Sequence, residues 1–138
     1  MHGHGALSTA AATSPDETAA RYRRAAFKTT VTGVVLQTLV TVLVHAIPAL
    51  LDGKVFPVLA TLTAGFTGFL FARAARGTSL VRQLRGAGLA AGVSGFAGAG
   101  LFSLLGHLPA ELLPVAGITC SVSGALGVPL GRMRRPRQ

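Results

Sequence analysis

Gln37 and its neighbours are the residues best placed to do chemistry in this 138-residue chain. The amide lies inside residues 29–50, a stretch with no Lys, Arg, Asp or Glu. In such surroundings a primary amide must find its own hydrogen-bond partners, because neither hydrocarbon nor apolar side chains supply them. Thr30, Thr38, Thr41 and His45 recur with Gln37 at helical intervals and make one polar stripe. A stripe of this kind either bonds to a neighbouring helix or lines a path for a solute or a proton.

His45 has a counterpart in His107. Each stands just ahead of a proline, in His45-Ala46-Ile47-Pro48 and in His107-Leu108-Pro109. Histidines on facing helices of a bundle can ligate a haem or a metal, so His45 and His107 are the weak candidates for such a site. Close to a turn, the same side chains can simply reach interfacial water. His2 and His4 have no further ligand beside them, and the single Cys120 excludes an internal disulfide.

Motifs for catalysis are missing. The sequence contains no CxxC, HExxH, GxSxG or P-loop, and glycines such as Gly95 and Gly98 follow no strand. Asp16 and Glu17 fall in the leader, while Asp52 and Glu111 stand singly in turns, so no carboxylate pair is available for acid–base work. A non-enzymatic protein without cofactor or resident metal is expected.

The elements that position these residues follow from charge and hydropathy. Residues 29–50, 55–72, 86–105 and 112–130 are free of Lys, Arg, Asp and Glu. Each has about the length that a helix rising ~1.5 Å per residue needs to cross a ~30 Å hydrocarbon core. They are apolar all round rather than on one face, which suits lipid and not water. The fold class predicted is an all-α membrane protein, a four-transmembrane-helix bundle.

Twelve of the 13 Lys and Arg residues lie in three places. Arg21, Arg23, Arg24 and Lys28 precede the first span. Arg73, Arg76, Arg82 and Arg85 sit between the second and third, and Arg132, Arg134, Arg135 and Arg137 follow the fourth. Only Lys54 falls on the other side. The positive-inside rule then predicts both termini in the cytoplasm and the Asp52 and Glu111 turns outside. Ala, Gly and Arg richness points to a bacterial inner (cytoplasmic) membrane, crossed several times. In a soluble chain the net charge of +9 would suggest nucleic acid. Placed beside spans, it suggests anionic lipid headgroups instead, and no nucleic-acid partner is expected.

Domain organisation is simple: a disordered leader over residues 1–13, then one transmembrane domain over 14–138 with a basic loop at 73–85 and a basic tail at 131–138. Ser14-Pro15-Asp16-Glu17 has the pattern of a helix start with a capping box. Arg23-Arg24 ahead of an apolar stretch loosely resembles an export signal, but three further spans make the first one a signal-anchor. Residues 77–79 are expected to begin a short interfacial helix. A loose repeat relates the two halves, with His45, Pro48, Gly65 and Arg73 matching His107, Pro109, Gly124 and Arg132. A duplicated helical hairpin would relate the halves by a pseudo-twofold along the membrane normal.

Small residues form further stripes: Thr61, Gly65, Gly68 and Ala72; Gly88, Gly92, Gly95, Ala99 and Ser103; Gly117, Cys120, Gly124, Gly127 and Gly131. In lipid, close backbone approach replaces the hydrophobic drive for helix association. Gly88, Gly92, Gly95, Gly117, Gly124 and Gly127 are therefore the expected helix-packing residues. The function class that follows is a membrane subunit or accessory protein that assembles as a homo-oligomer or within a larger complex. A small-solute transporter or pore, including a holin-like one, is the alternative, and a His-ligated haem or metal carrier comes third.

Overall fold

The computed structural model describes residues 14–51 and 53–133. Four helices run through them, α1 (Pro15–Ala46), α2 (Val55–Ala74), α3 (Leu80–Leu104) and α4 (Leu113–Arg132), with single 3-10 turns at Pro48–Leu50 and Ala110–Leu112. No strand occurs among the described residues. All four helices are long and apolar enough to cross a membrane, so this is a multi-pass membrane protein. The disordered leader expected for residues 1–13 and most of the basic tail lie outside the described residues.

Local chemistry sets where the helices begin and end. The Ser14 hydroxyl accepts from the Glu17 backbone N–H at 3.2 Å, capping α1, and Pro15 occupies its first turn. The helix stops at Ala46 because Ile47, which precedes Pro48, is held extended at φ −114° and ψ 99°. Residues 47–50, expected within the first span, therefore belong to the turn. Ser79 caps α3 and accepts from Arg82 N–H at 3.4 Å. The segment expected as a separate interfacial helix is instead continuous with α3. α3 ends in a Schellman motif: Gly106 at φ +80° lets its own N–H reach Ser103 O at 2.9 Å and the His107 N–H reach Phe102 O at 3.1 Å.

Contacts between helices define a parallelogram. Gly33 meets Ser94 and Gln37 meets Gly98, so α1 and α3 run side by side in the same direction. α2 and α4 do likewise, with Gly68 against Gly124 and Gly131 against Phe69. α2 also contacts α3, whereas α1 and α4 share no extensive contact and occupy the far corners. A twofold exchanging the hairpins would make the α2·α3 and α1·α4 pairs equivalent. The helices are instead related as hairpins laid side by side.

The interior is built from small residues and the exterior from large ones. Ala25, Phe71, Ala72, Ala75, Ala87, Ala90 and Val128 form one cluster; Val44, Phe56, Ala60 and Phe102 form another at the opposite end. Ala64, Ala91 and Cys120 lie between. Phe27, Leu62, Leu89, Ile118 and Leu126 point away from the bundle, each at least 65% exposed. A water-soluble bundle would bury those side chains; lipid makes their exposure favourable.

Candidate functional site

Two places in the bundle gather the chemically pointed side chains, one in its core and one at an end. In the core, α1 turns a stripe spaced by fours toward its neighbours: Ala25, Thr29, Gly33, Gln37 and Thr41 are all buried. Gln37 is wholly enclosed, and its Nε2 donates to Ala60 O on α2 at 2.9 Å. The Thr41 hydroxyl contacts Gln37 O at 2.9 Å and Gly98 O on α3 at 3.2 Å. Gly98 is needed at this level, because a Cβ there would stand 2.9 Å from Gln37 Cβ. One helical turn away, a Cβ on Gly33 would come within 3.0 Å of both the Ser94 and Thr67 side chains. Ser94 and Thr67 are buried too, and their hydroxyls return to carbonyls of their own helices, Ala91 O and Thr63 O.

This node divides the stripe expected from sequence. Gln37 and Thr41 are together inside the bundle, Thr30 and Thr38 are half-buried at its margin, and His45 is exposed. Gly33, Gly98, Ser94 and Thr67 were not expected at the node. An interval-of-four pattern that admits small residues as well as polar ones would have found Gly33. Gln37 keeps one unpaired group, its Oε1. An orphaned buried carbonyl oxygen costs about 1–3 kcal/mol where nothing else reaches it.

At the opposite end, His45 and His107 come together from positions 62 apart in the chain, Nδ1 of the first lying 2.8 Å from Nε2 of the second. Two local features deliver them. Pro48 ends α1 just past His45, and the Gly106 turn folds His107 back until its ring centroid is 5.0 Å from that of Phe102. Phe102 in turn stacks on Phe56 at 4.0 Å. The pair is spaced as a hydrogen bond. Axial ligation of a haem iron needs nitrogens about 4 Å apart, two bonds of about 2 Å with the macrocycle between them. The two rings as arranged leave no room for it. Among the described residues no three His, Cys, Asp or Glu converge on a point that could hold a metal.

The glycine stripes differ in how closely they are approached. A methyl at Gly92 would fall on the Ser121 hydroxyl, one at Gly95 on the Cys120 side chain, and one at Gly124 on Ala91 Cβ and 2.8 Å from Ala87 O. At Gly127 it would meet Gly65 O and sit 2.9 Å from Phe69 N. Gly88 has Ser121 O at 3.3 Å, which is tight. Gly117 has nothing nearer than the Phe96 ring at 3.7 Å, an ordinary contact, and is half-buried. Gly68 is approached more closely than any of the glycines expected to pack, and Gly86 and Gly131 also have no room for a Cβ.

Basic residues collect at one end of the bundle. Tyr22 OH donates to Arg82 O at 3.2 Å, joining the start of α1 to the start of α3. Gln83 Nε2 donates to Ala75 O at 2.9 Å and closes the turn after α2. Arg73 lies 5.5 Å above the Phe69 ring. The fold and its polar node thus define a four-helix, multi-pass membrane bundle whose core is tied by side chain-to-backbone bonds. No protein-family model, no curated protein and no solved structure matches the chain.

Proposed function

We propose that this protein is a non-enzymatic subunit or accessory protein of a bacterial inner membrane, with both termini cytoplasmic. Its small-residue faces pack mainly within the bundle, and it assembles with copies of itself or within a larger membrane complex through the parts of them left open. The observation that carries this reading is the use made of the core polar groups. Gln37 and Thr41 bond to backbone carbonyls of α2 and α3 and hold three helices together, where a conducting path would need them facing an open channel. Alongside it, Gly65, Gly127, Thr61 and Ser123 line an open apolar groove between α2 and α4 that a further helix could enter.

Purification in mild detergent followed by mass measurement and liposome reconstitution tests it. The expected result is a defined species larger than the 14.0 kDa monomer, or a co-purifying partner, and no solute flux. A monomer without a partner would overturn the subunit reading. The unpaired Gln37 Oε1, at the level of the core node, favours a small-solute pathway instead. Flux that falls in Gln37→Leu would establish that alternative.

Sidedness has its own test. Twelve of the 13 basic residues lie on flanks assigned to the cytoplasm. Reporter fusions, or cysteine labelling after Cys120→Ala, should place positions beside Asp52 and Glu111 outside. Labelling of either turn from the cytoplasmic side would reverse the orientation.

A further inference from the structure

We infer that the outward face of α1 is a seat for one anionic phospholipid, its phosphate held by Arg21, Arg24 and Lys28 and an acyl chain lying along Val31, Val35 and Val42. The inference rests on the membrane reading above and adds a ligand class and a place. Positions 21, 24, 28, 31, 35 and 42 succeed one another at intervals of three, four and seven, so they share one side of the helix. Along residues 31–42 that side is opposite the buried Gly33, Gln37 and Thr41, whereas at Arg21 it borders the buried Ala25 and reaches the edge of α2.

Along this face the chemistry changes once, from cationic to apolar, between Lys28 and Val31. Val31, Val35 and Val42 are 46%, 51% and 52% exposed and form an apolar rail open on its outer side. The cationic part rises about 10 Å from Arg21 to Lys28 at ~1.5 Å per residue, comparable to the headgroup layer on one side of a bilayer. A phospholipid has the same order of parts, a phosphate above hydrocarbon.

The cationic part is also concave. Glu17, Ala20, Arg21, Arg24, Ala25 and Lys28 line a hollow against Ala74 at the end of α2, with a volume of about 550 Å³. Ala20, Ala25 and Ala74 are the small residues of its lining, and Arg21, Arg24 and Lys28 supply its cations. Arg guanidinium groups bind phosphate oxygens through two parallel N–H donors, while Lys contributes a compact point charge. Glu17 is the single anion at the rim, which leaves the hollow with a net positive charge among its lining residues.

The test is lipid retention, read by native mass spectrometry of the full chain taken from mixed phosphatidylglycerol–phosphatidylcholine nanodiscs. One phosphatidylglycerol retained per chain in preference to phosphatidylcholine is expected. Arg24→Gln with Lys28→Gln should lower that retention roughly twenty-five-fold, a factor of about five for each cation removed. Arg85→Gln with Arg132→Gln removes the same charge from α3 and α4, neither of which lines the hollow, and should leave retention intact. Equal loss in both double variants would mean diffuse attraction and would overturn the seat. So would equal retention of phosphatidylcholine. Inorganic phosphate that displaces the lipid completely would show a free-anion site, whereas Val35→Ser should weaken the lipid alone. Flotation with phosphatidylcholine vesicles separates the two levels of inference. A chain that does not float fails as a membrane protein, and one that floats without preferring phosphatidylglycerol fails only as a lipid seat.

Discussion

Gly68→Ala is expected to destabilise the bundle by about 3 kcal/mol, the upper part of the overpacking range. The added methyl would fall on the carbonyl oxygen of Gly124 and 2.8 Å from its Cα. Both colliding partners are helix backbone, so no rotamer change relieves the contact; α2 and α4 must separate. In lipid that separation forfeits dispersion contacts that acyl chains do not restore in the same density. Unfolding in mild detergent, followed by circular dichroism, measures the effect. Gly100→Ala is the matched control, since nothing lies within 4 Å of a Cβ there and the position is helical. Its expected change is neutral or stabilising by up to about 1 kcal/mol, from helix propensity. Equal stability of the two variants would show that α2 and α4 do not meet as described.

A second large effect is expected on the other side of α4. Gly92→Leu and Gly95→Leu each place a branched side chain against Ser121 or Cys120 in the antiparallel α3·α4 seam. Each should cost about 1–3 kcal/mol or more and shift the detergent-solubilised species toward larger or heterogeneous sizes. At Gly95 the collision includes Cys120 Cβ, which no rotamer change moves, whereas at Gly92 it is with the Ser121 hydroxyl, which can turn away, Ser121 Cβ and Gly117 O standing off at 3.4 Å; the Gly95 variant is expected to be the more severe. Leu104→Ala, at a position 87% exposed, should change little, because lipid replaces what the side chain contacted. Similar unfolding midpoints for all three variants would place this stripe in lipid.

How much of the site was legible depends on the range of the interaction involved. Ser14, Pro15, Pro48 and Gly106 act on backbone within a few residues, so a helix start and its stops can be read locally. Gln37 announced itself because an amide in a charge-free stretch must be bonded. Its partners did not, since Ala60 and Gly98 contribute only backbone carbonyls, a group every residue has. Thr30 and Thr38 shared a polar character with Gln37 but sit half-buried, because α1 is oriented by the small residues Ala25 and Gly33 as much as by its hydroxyls.

The sequence by itself determined four membrane-length helices and the collection of basic residues at one end of the bundle. Both are matters of composition over ~20 residues, and hydrocarbon thickness is a fixed ruler. Only the tertiary structure decided which helices are neighbours. It set α1 beside α3 and α2 beside α4, left α1 and α4 at the far corners, and brought His45 within 2.8 Å of His107. Those choices depend on helix rotation and register, and these are settled where a missing Cβ lets one backbone sink against another, as Gly33, Gly68 and Gly98 do. A stripe of glycines marks where such approach can happen, but the partner is selected by the fit of both surfaces, which no single span contains.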